Sequence, residues 1–139
     1  NVVKNTSFRG RWEILKKEPL VICDIGHNLQ AIEFISKQLE NLSNRNGIFI
    51  IGVSDDKDFE KISKVLPKYL TYYLTKANNS RAMSVDVLYK NMKNFPNILR
   101  FSNSHEAYKA AIKKSKNDNF IFIGGSTFIV ADIISEYFP

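Results

Sequence analysis

Apolar and polar residues follow one another along this chain in two recurring patterns. Short, continuous apolar runs such as Val21–Cys23, Ile48–Ile51 and Phe120–Ile123 suit strands buried on both faces. Between them, apolar residues recur every three or four positions, as on one face of a helix. In chain order, Trp12–Leu15 predicts a short strand, Lys16-Lys17-Glu18-Pro19 a turn, and Leu20–Asp24 a second strand. So short a connection implies an antiparallel pair. Asn28–Leu42 predicts a helix with Ile32, Ile35, Leu39 and Leu42 on one face, ended by Asn46-Gly47. Ile48–Ile51 is a strand closed by Gly52. Asp55–Asp58 opens a helix with Phe59, Ile62, Val65 and Leu66 on its apolar face, and Pro67 stops it. Tyr69–Thr75 is a strand rich in aromatic and β-branched residues. Val85, Leu88 and Met92 mark a helix, Ile98–Phe101 a strand, and Ala107, Tyr108, Ala111 and Ile112 a helix that Ser104 is placed to cap. After Phe120–Ile123, the turn Gly124-Gly125-Ser126-Thr127 leads directly into a last helix.

Strands of continuous apolar sequence, each joined to the next by a helix, predict an α/β fold. The expected architecture is a Rossmann-like three-layer sandwich in one domain spanning 1–139. Its six-stranded sheet is mostly parallel, with one antiparallel strand, Trp12–Leu15, at or near an edge. Helices cover both faces and the crossovers are right-handed.

Composition narrows the setting. The chain has 139 residues, of which 44% are hydrophobic, enough for one domain with its own core. No apolar run approaches the ~20 residues that span a bilayer. Asn1–Arg11 carries no signal-peptide pattern and reads as an entering linker; with no Met at position 1, a fragment or processed chain is expected. The one cysteine, Cys23, excludes an internal disulfide, reads as a small core residue and fits a reduced, cytoplasmic setting. Net charge is +6, yet the lysines are spread along the chain with no dense stripe. They read as solvated helix faces, and specific nucleic-acid binding is disfavoured.

The carboxyl ends of parallel strands face one way. That rim gathers Asp24, His27, Asn28, Ser54, Asp55, Lys76 and Ser126, a mixed-charge edge suited to a phosphorylated or zwitterionic ligand. Each residue also has a plainer reading. Asp24 or Asn28 caps the following helix. His27 orients a loop. Gly124–Thr127 is a glycine turn with a Ser or Thr cap, or else a cradle in which Gly125 admits a ligand and Ser126 adds a hydroxyl. Asp55-Asp56-Lys57-Asp58 stabilises a helix dipole. Arg11 and Arg81 are anion clamps or simply solvated. No G-x-G-x-x-G follows a predicted strand, and no Walker A loop is present. Two histidines and one cysteine, unclustered, give no zinc pattern, and no metal site is expected in this domain.

Taken together, these residues resemble the carboxy-terminal domain of the Mur-ligase superfamily, and most closely its folylpolyglutamate synthase/dihydrofolate synthase branch. That family opens the domain with Gly-Arg-aromatic-Glu, and Gly10-Arg11-Trp12-Glu13 matches. Thirteen residues after the arginine the family places the aspartate of Asp-Gly-Ala-His-Asn-Pro. Asp24 stands there, in Asp24-Ile25-Gly26-His27-Asn28-Leu29. Gly52 with Asp56-Lys57-Asp58, Ser80-Arg81-Ala82 and Gly125-Ser126 match three later elements in order. Ile25, Gly26, Leu29 and Ser80 depart from the pattern.

The resemblance implies an ATP-dependent amide ligase. ATP phosphorylates a folate or dihydropteroate carboxylate, and the amine of L-glutamate attacks the acyl phosphate. It further implies that the P-loop and the Mg2+ ligands lie in an amino-terminal ATPase domain of the same polypeptide. Arg11 is then a phosphate-side cation and Asp24 a contact to ATP. His27 and Ser126 belong to the glutamate site, with Asn28, Asp56, Lys76, Arg81 and Gly125 as secondary residues. No nucleic-acid or membrane partner is implied, a monomer is expected, and the isolated chain should be inactive. Two alternatives stay open: a Mur-type peptidoglycan precursor ligase domain, and a non-catalytic nucleotide- or RNA-binding module.

Overall fold

The computed structural model describes residues 9–42 and 45–139. The entering segment expected at Asn1–Arg11 therefore lies, up to Phe8, outside the described residues. The sheet begins with a hairpin, β1 (Glu13–Lys17) and β2 (Leu20–Cys23), paired antiparallel across the turn at Glu18-Pro19. There follow α1 (Leu29–Glu40), β3 (Asn46–Ile51), α2 (Phe59–Val65), β4 (Thr71–Leu74) and α3 (Val85–Met92). The chain continues through β5 (Ile98–Arg100), α4 (Ser104–Lys114), β6 (Asn119–Gly124) and α5 (Thr127–Tyr137). The strand order is β1-β2-β6-β3-β4-β5, and every neighbouring pair except β1–β2 is parallel. The six-stranded α/β reading holds, with the antiparallel strand at an edge.

Each central strand buries both of its faces, which is why its sequence is apolar without alternation. Phe120 and Phe122 of β6 join Phe49, Tyr72, Ile32, Ile62 and Leu88 under α1, α2 and α3. Ile121 and Ile123, one residue out of step, join Val21, Ile48, Ala107, Ala111 and Ile129 under α4 and α5. The first core is aromatic at its centre: Phe49 meets Phe122 edge-on at 4.9 Å and stacks on Tyr72 at 5.4 Å.

Several boundaries move from expectation, each for a local reason. Asn46-Gly47 does not end a helix. Asn41 and Leu42 already close α1, donating to Gln38 O and Leu39 O, and Asn46-Gly47 are the first residues of β3. Gly47 is required there by its neighbour in the sheet. It pairs with Phe120, and a Cβ would run into the Phe120 ring. Ser104 does not cap α4. Asn103 does, its Oδ1 accepting from Glu106 N at 2.9 Å, while the Ser104 hydroxyl donates to Asp132 at 3.1 Å. The acidic run does not open α2 at Asp55 either. Asp58 is its cap, accepting from Lys61 N, and Asp55 and Asp56 stay in the loop. β4 is shorter than Tyr69–Thr75, because Tyr69 turns away to donate its hydroxyl to Leu39 O at 2.9 Å.

Among the described residues no helix is long and apolar enough to cross a membrane. Cys23 is fully buried at the end of β2. Burial pushes its thiol up to about 12, with the Glu13 and Asp24 carboxylates adding to the rise. Its protonated form is therefore favoured by folding. That contribution is complete below the ordinary thiol value of 9.0 and is lost as pH climbs from there toward about 12. Alkylation of the native chain at pH 8 is expected to run at least tenfold slower than in denaturant. Equal rates in the two states would show the thiol to be exposed.

Candidate functional site

The loop between β2 and α1 organises the site. Val21–Cys23 are locked in the core, and Asp24 is the first residue past the strand end. Its Oδ1 accepts from Gly26 N at 2.8 Å and closes the turn; its Oδ2 accepts from Trp12 N at 2.9 Å. Next to it, Ile25 N donates to Gly10 O at 2.6 Å. The segment Gly10–Trp12 is thus held from the loop by both of its ends. It needs holding: Gly10 has φ +87° and Trp12, which has a side chain, φ +43°. Glu13 adds a brace on the outer side, accepting from Gly10 N at 2.8 Å and pairing with Arg9 at 3.2 Å.

The result is a fixed position for Arg11. Its side chain is exposed on an open cleft of about 480 Å³, and among the described residues no carboxylate pairs with it. Asp24, His27 and Asn28 line the same cleft. Asn28 also caps α1, its Oδ1 accepting from Ala31 N at 2.8 Å, so the plainer reading of this residue is realised, while its amide nitrogen has no partner among the described residues. His27 is exposed and free to meet a ligand.

The turn after β6 lies against the end of β3. Gly125 has φ +105°, and a Cβ on it would strike the Gly52 carbonyl oxygen. Ser126 is buried, and its Oγ accepts from Ile129 N at 3.1 Å as the cap of α5. The next residue, Thr127, is the one from this turn that lines the cleft. Asp56 and Arg81 face each other at 4.0 Å across two loops. Those loops are tied together by Asp55 N donating to Arg81 O at 2.7 Å and by a bridge between Ser54 and Ala82. Lys76 is apart from the cleft, on a different cavity.

No site role follows from the sequence for Phe34, Gln38 or Trp12. Phe34 is 64% exposed and lines the cleft, as does Gln38 four residues on. An aromatic off the Ile32-Ile35-Leu39 face was the signal available for it. Trp12 was read as part of a strand and as the aromatic of the Gly10–Glu13 match, without a role in the site. It lines the cleft while its ring packs 5.6 Å from that of Phe122. Among the described residues no group of three or more His, Cys, Asp or Glu side chains could hold a metal ion.

Residues 10–127 match a family model described as the Mur ligase, glutamate ligase domain. A dihydrofolate synthase/folylpolyglutamate synthase of Buchnera aphidicola (subsp. Schizaphis graminum) is 27% identical over 135 residues, which are 96% of this chain and 32% of that protein. The crystal structure of a bifunctional folylpolyglutamate synthase/dihydrofolate synthase from Yersinia pestis, complexed with AMPPNP and a manganese ion, superposes with a TM-score of 0.81. Identity is 21%, over 91% of this chain and 30% of that one. The Mycobacterium tuberculosis folylpolyglutamate synthase complexed with ADP gives 0.82 at 20% identity, over 94% of this chain and 32% of that one. The chain spans about a third of the length of the curated relatives it matches. At such identities the superpositions speak for the fold, and the family model speaks for descent. With the Arg11–Asp24 loop and the Gly125-Ser126 turn both inside the matched span, the chain belongs to the Mur ligase, glutamate ligase domain family.

Proposed function

We propose that this chain is the carboxy-terminal domain of an ATP-dependent ligase that joins L-glutamate to folate or dihydropteroate. The observation that carries the reading is Arg11, with no carboxylate partner among the described residues, on a backbone segment braced by Asp24 beside His27 on an open cleft, in a chain of the glutamate ligase family. In this reaction a carboxylate oxygen attacks the γ-phosphorus of ATP and ADP leaves. The amine of glutamate then attacks the acyl carbon of the resulting acyl phosphate, inorganic phosphate leaves, and the nitrogen gives up a proton. Negative charge gathers on phosphoryl oxygens in the first step. A guanidinium carried on a braced backbone segment, with no carboxylate partner among the described residues, is suited to that charge.

In this reading Asp24 acts chiefly by holding the Arg11 loop, and its remaining lone pairs are open to a ribose hydroxyl. Trp12 and Phe34 offer apolar surface to a planar ring. His27 faces the incoming glutamate. Ser126 accepts from Ile129 and keeps a hydroxyl proton to donate, while Gly125 sets the turn that carries it. Asn28 offers its amide nitrogen to the same ligand. The Asp56–Arg81 pair is a secondary element on the rim. In the same reading the metal ligands and the P-loop belong to an amino-terminal ATPase domain of the same polypeptide, which closes over the cleft by domain motion. The enzyme works in the cytoplasm, as a monomer.

The test is ATP- and glutamate-dependent release of ADP by the full-length polypeptide with dihydropteroate and folate. Turnover is expected, with Arg11→Ala lowering kcat/KM by about tenfold or more and leaving the melting curve unchanged. The 139-residue chain alone is expected to show none. A full-length protein inert with every pterin, or active only with a nucleotide-linked sugar substrate, would overturn the proposal.

A further inference from the structure

The sheet has a second place where helices part. α3 packs on the first core, through Leu88 and Met92, whereas α4 packs on the second, through Ala107, Tyr108 and Ala111. The strands that feed them, β4 and β5, are neighbours. A chain that leaves one strand toward one face and the next strand toward the other opens a crevice at their carboxyl ends, and in open α/β sheets ligands bind in such crevices. The same divergence, of α1 from α5, lies behind the cleft at Arg11, between β2 and β6.

A cavity of about 590 Å³ occupies this second crevice. It is lined by the loop after β4, with Lys76, Asn79 and Ser80, and by the start of α4 with the loop before it, with Ser102, Asn103 and His105. Its polar side chains supply many donors. Asn79 Oδ1 accepts from Arg81 N at 2.8 Å and Asn103 Oδ1 from Glu106 N at 2.9 Å, which leaves both donors of each amide nitrogen free among the described residues. Lys76 adds an ammonium, and Ser80 and Ser102 add hydroxyls. His105 Nδ1 is shut off from solvent and has no partner among the described residues. No acidic side chain among the described residues lines the cavity. The neighbouring carboxylate, Asp132, braces the walls: its Oδ2 accepts from Asn78 N at 2.9 Å and from the Ser104 hydroxyl at 3.1 Å, tying both loops to α5.

We propose that this crevice is a second binding site, for a small molecule bearing an oxyanion. A positive charge, several free hydroxyl and amide donors and no lining carboxylate are what a carboxylate or phosphate requires. The assignment does not depend on the reaction at the Arg11 cleft.

Titration of the 15N-labelled 139-residue chain, followed through its backbone amides, tests it. Inorganic phosphate and succinate are the two probes, and the tighter of them identifies the anion class. Saturable shifts confined to 76–80 and 102–105 are expected with at least one probe, at a Kd in the millimolar range or below. Lys76→Met is expected to raise that Kd by about tenfold or more and Ser102→Ala by about threefold, whereas Arg11→Ala leaves it unchanged. Lys76 is exposed, so its loss does not threaten folding. Three results would sink the proposal: no saturation by either probe up to roughly 50 mM, shifts centred on 24–28, or an unaltered Kd in Lys76→Met.

Discussion

Gly125→Ala is expected to lower the thermal midpoint by about 10 °C or more. Two costs add at this one position. The backbone φ of +105° is a region that side chains avoid, which costs on the order of 1–3 kcal/mol. The new Cβ also meets the Gly52 carbonyl oxygen, with Ile51 Cγ1 close behind at 3.0 Å. Because the first obstacle is backbone, no rotamer change relieves it; either β3 or the turn must move, at a further cost of roughly 1–3 kcal/mol. The sum, about 3 kcal/mol, exceeds what the adjacent Ser126→Ala should cost by removing the α5 cap, about 1 kcal/mol. Melting curves of the two variants, read by circular dichroism, compare them directly. If Gly125→Ala melts no lower than Ser126→Ala, the approach of this turn to β3 is looser than described, and the placement of Thr127 on the cleft is in question.

Asp24→Ala should cost about 3 kcal/mol of stability and also remove Arg11 from its working position. The carboxylate accepts two backbone N–H bonds, and removing it leaves Gly26 N and Trp12 N without their partner while Trp12 still sits at φ +43°. Asp24→Asn keeps one good acceptor and is expected to lose about half as much. Trp12 is the one tryptophan in the chain and lies in the affected segment, so its fluorescence during urea unfolding reports the change locally. A residue that did no more than touch the nucleotide would weaken ATP binding and leave the unfolding midpoint where it was. That pattern would refute the bracing role.

How far the sequence discloses this protein depends on where the deciding forces act. β2, β3 and β6 were readable because double-sided burial writes itself as an unbroken apolar run. The β2–α1 loop was readable as a site because Asp24–Asn28 interrupts such a run at the point where a helix begins. Gly47 was not: as a local signal it stops a helix, but what demands it is the Phe120 ring on a strand more than seventy residues later. Ser104 and Asn103 are adjacent residues with equal capping ability, and the choice between them rests with Asp132 on another helix. The same holds within the site. Phe34 and Gln38 join it only because α1 borders the crevice, and Lys76 leaves it because α3 and α4 part company at β4 and β5. Asp56 and Arg81, each readable as a secondary residue of the site, pair with one another.

The strand made last sits in the middle of the sheet. β6, residues Asn119–Gly124, lies between β2 and β3, so neither of those strands has its full set of neighbours until it arrives. On the ribosome, the hairpin of β1 and β2 and the run of β3, β4 and β5 emerge as two separate half-sheets, each with an apolar edge open to solvent. They wait some seconds at ordinary elongation rates for the strand that joins them. Assembly of this domain is therefore a late, single event triggered by β6 and α5, and a ribosome stalled before Phe120 carries a chain fit for a chaperone rather than for folding.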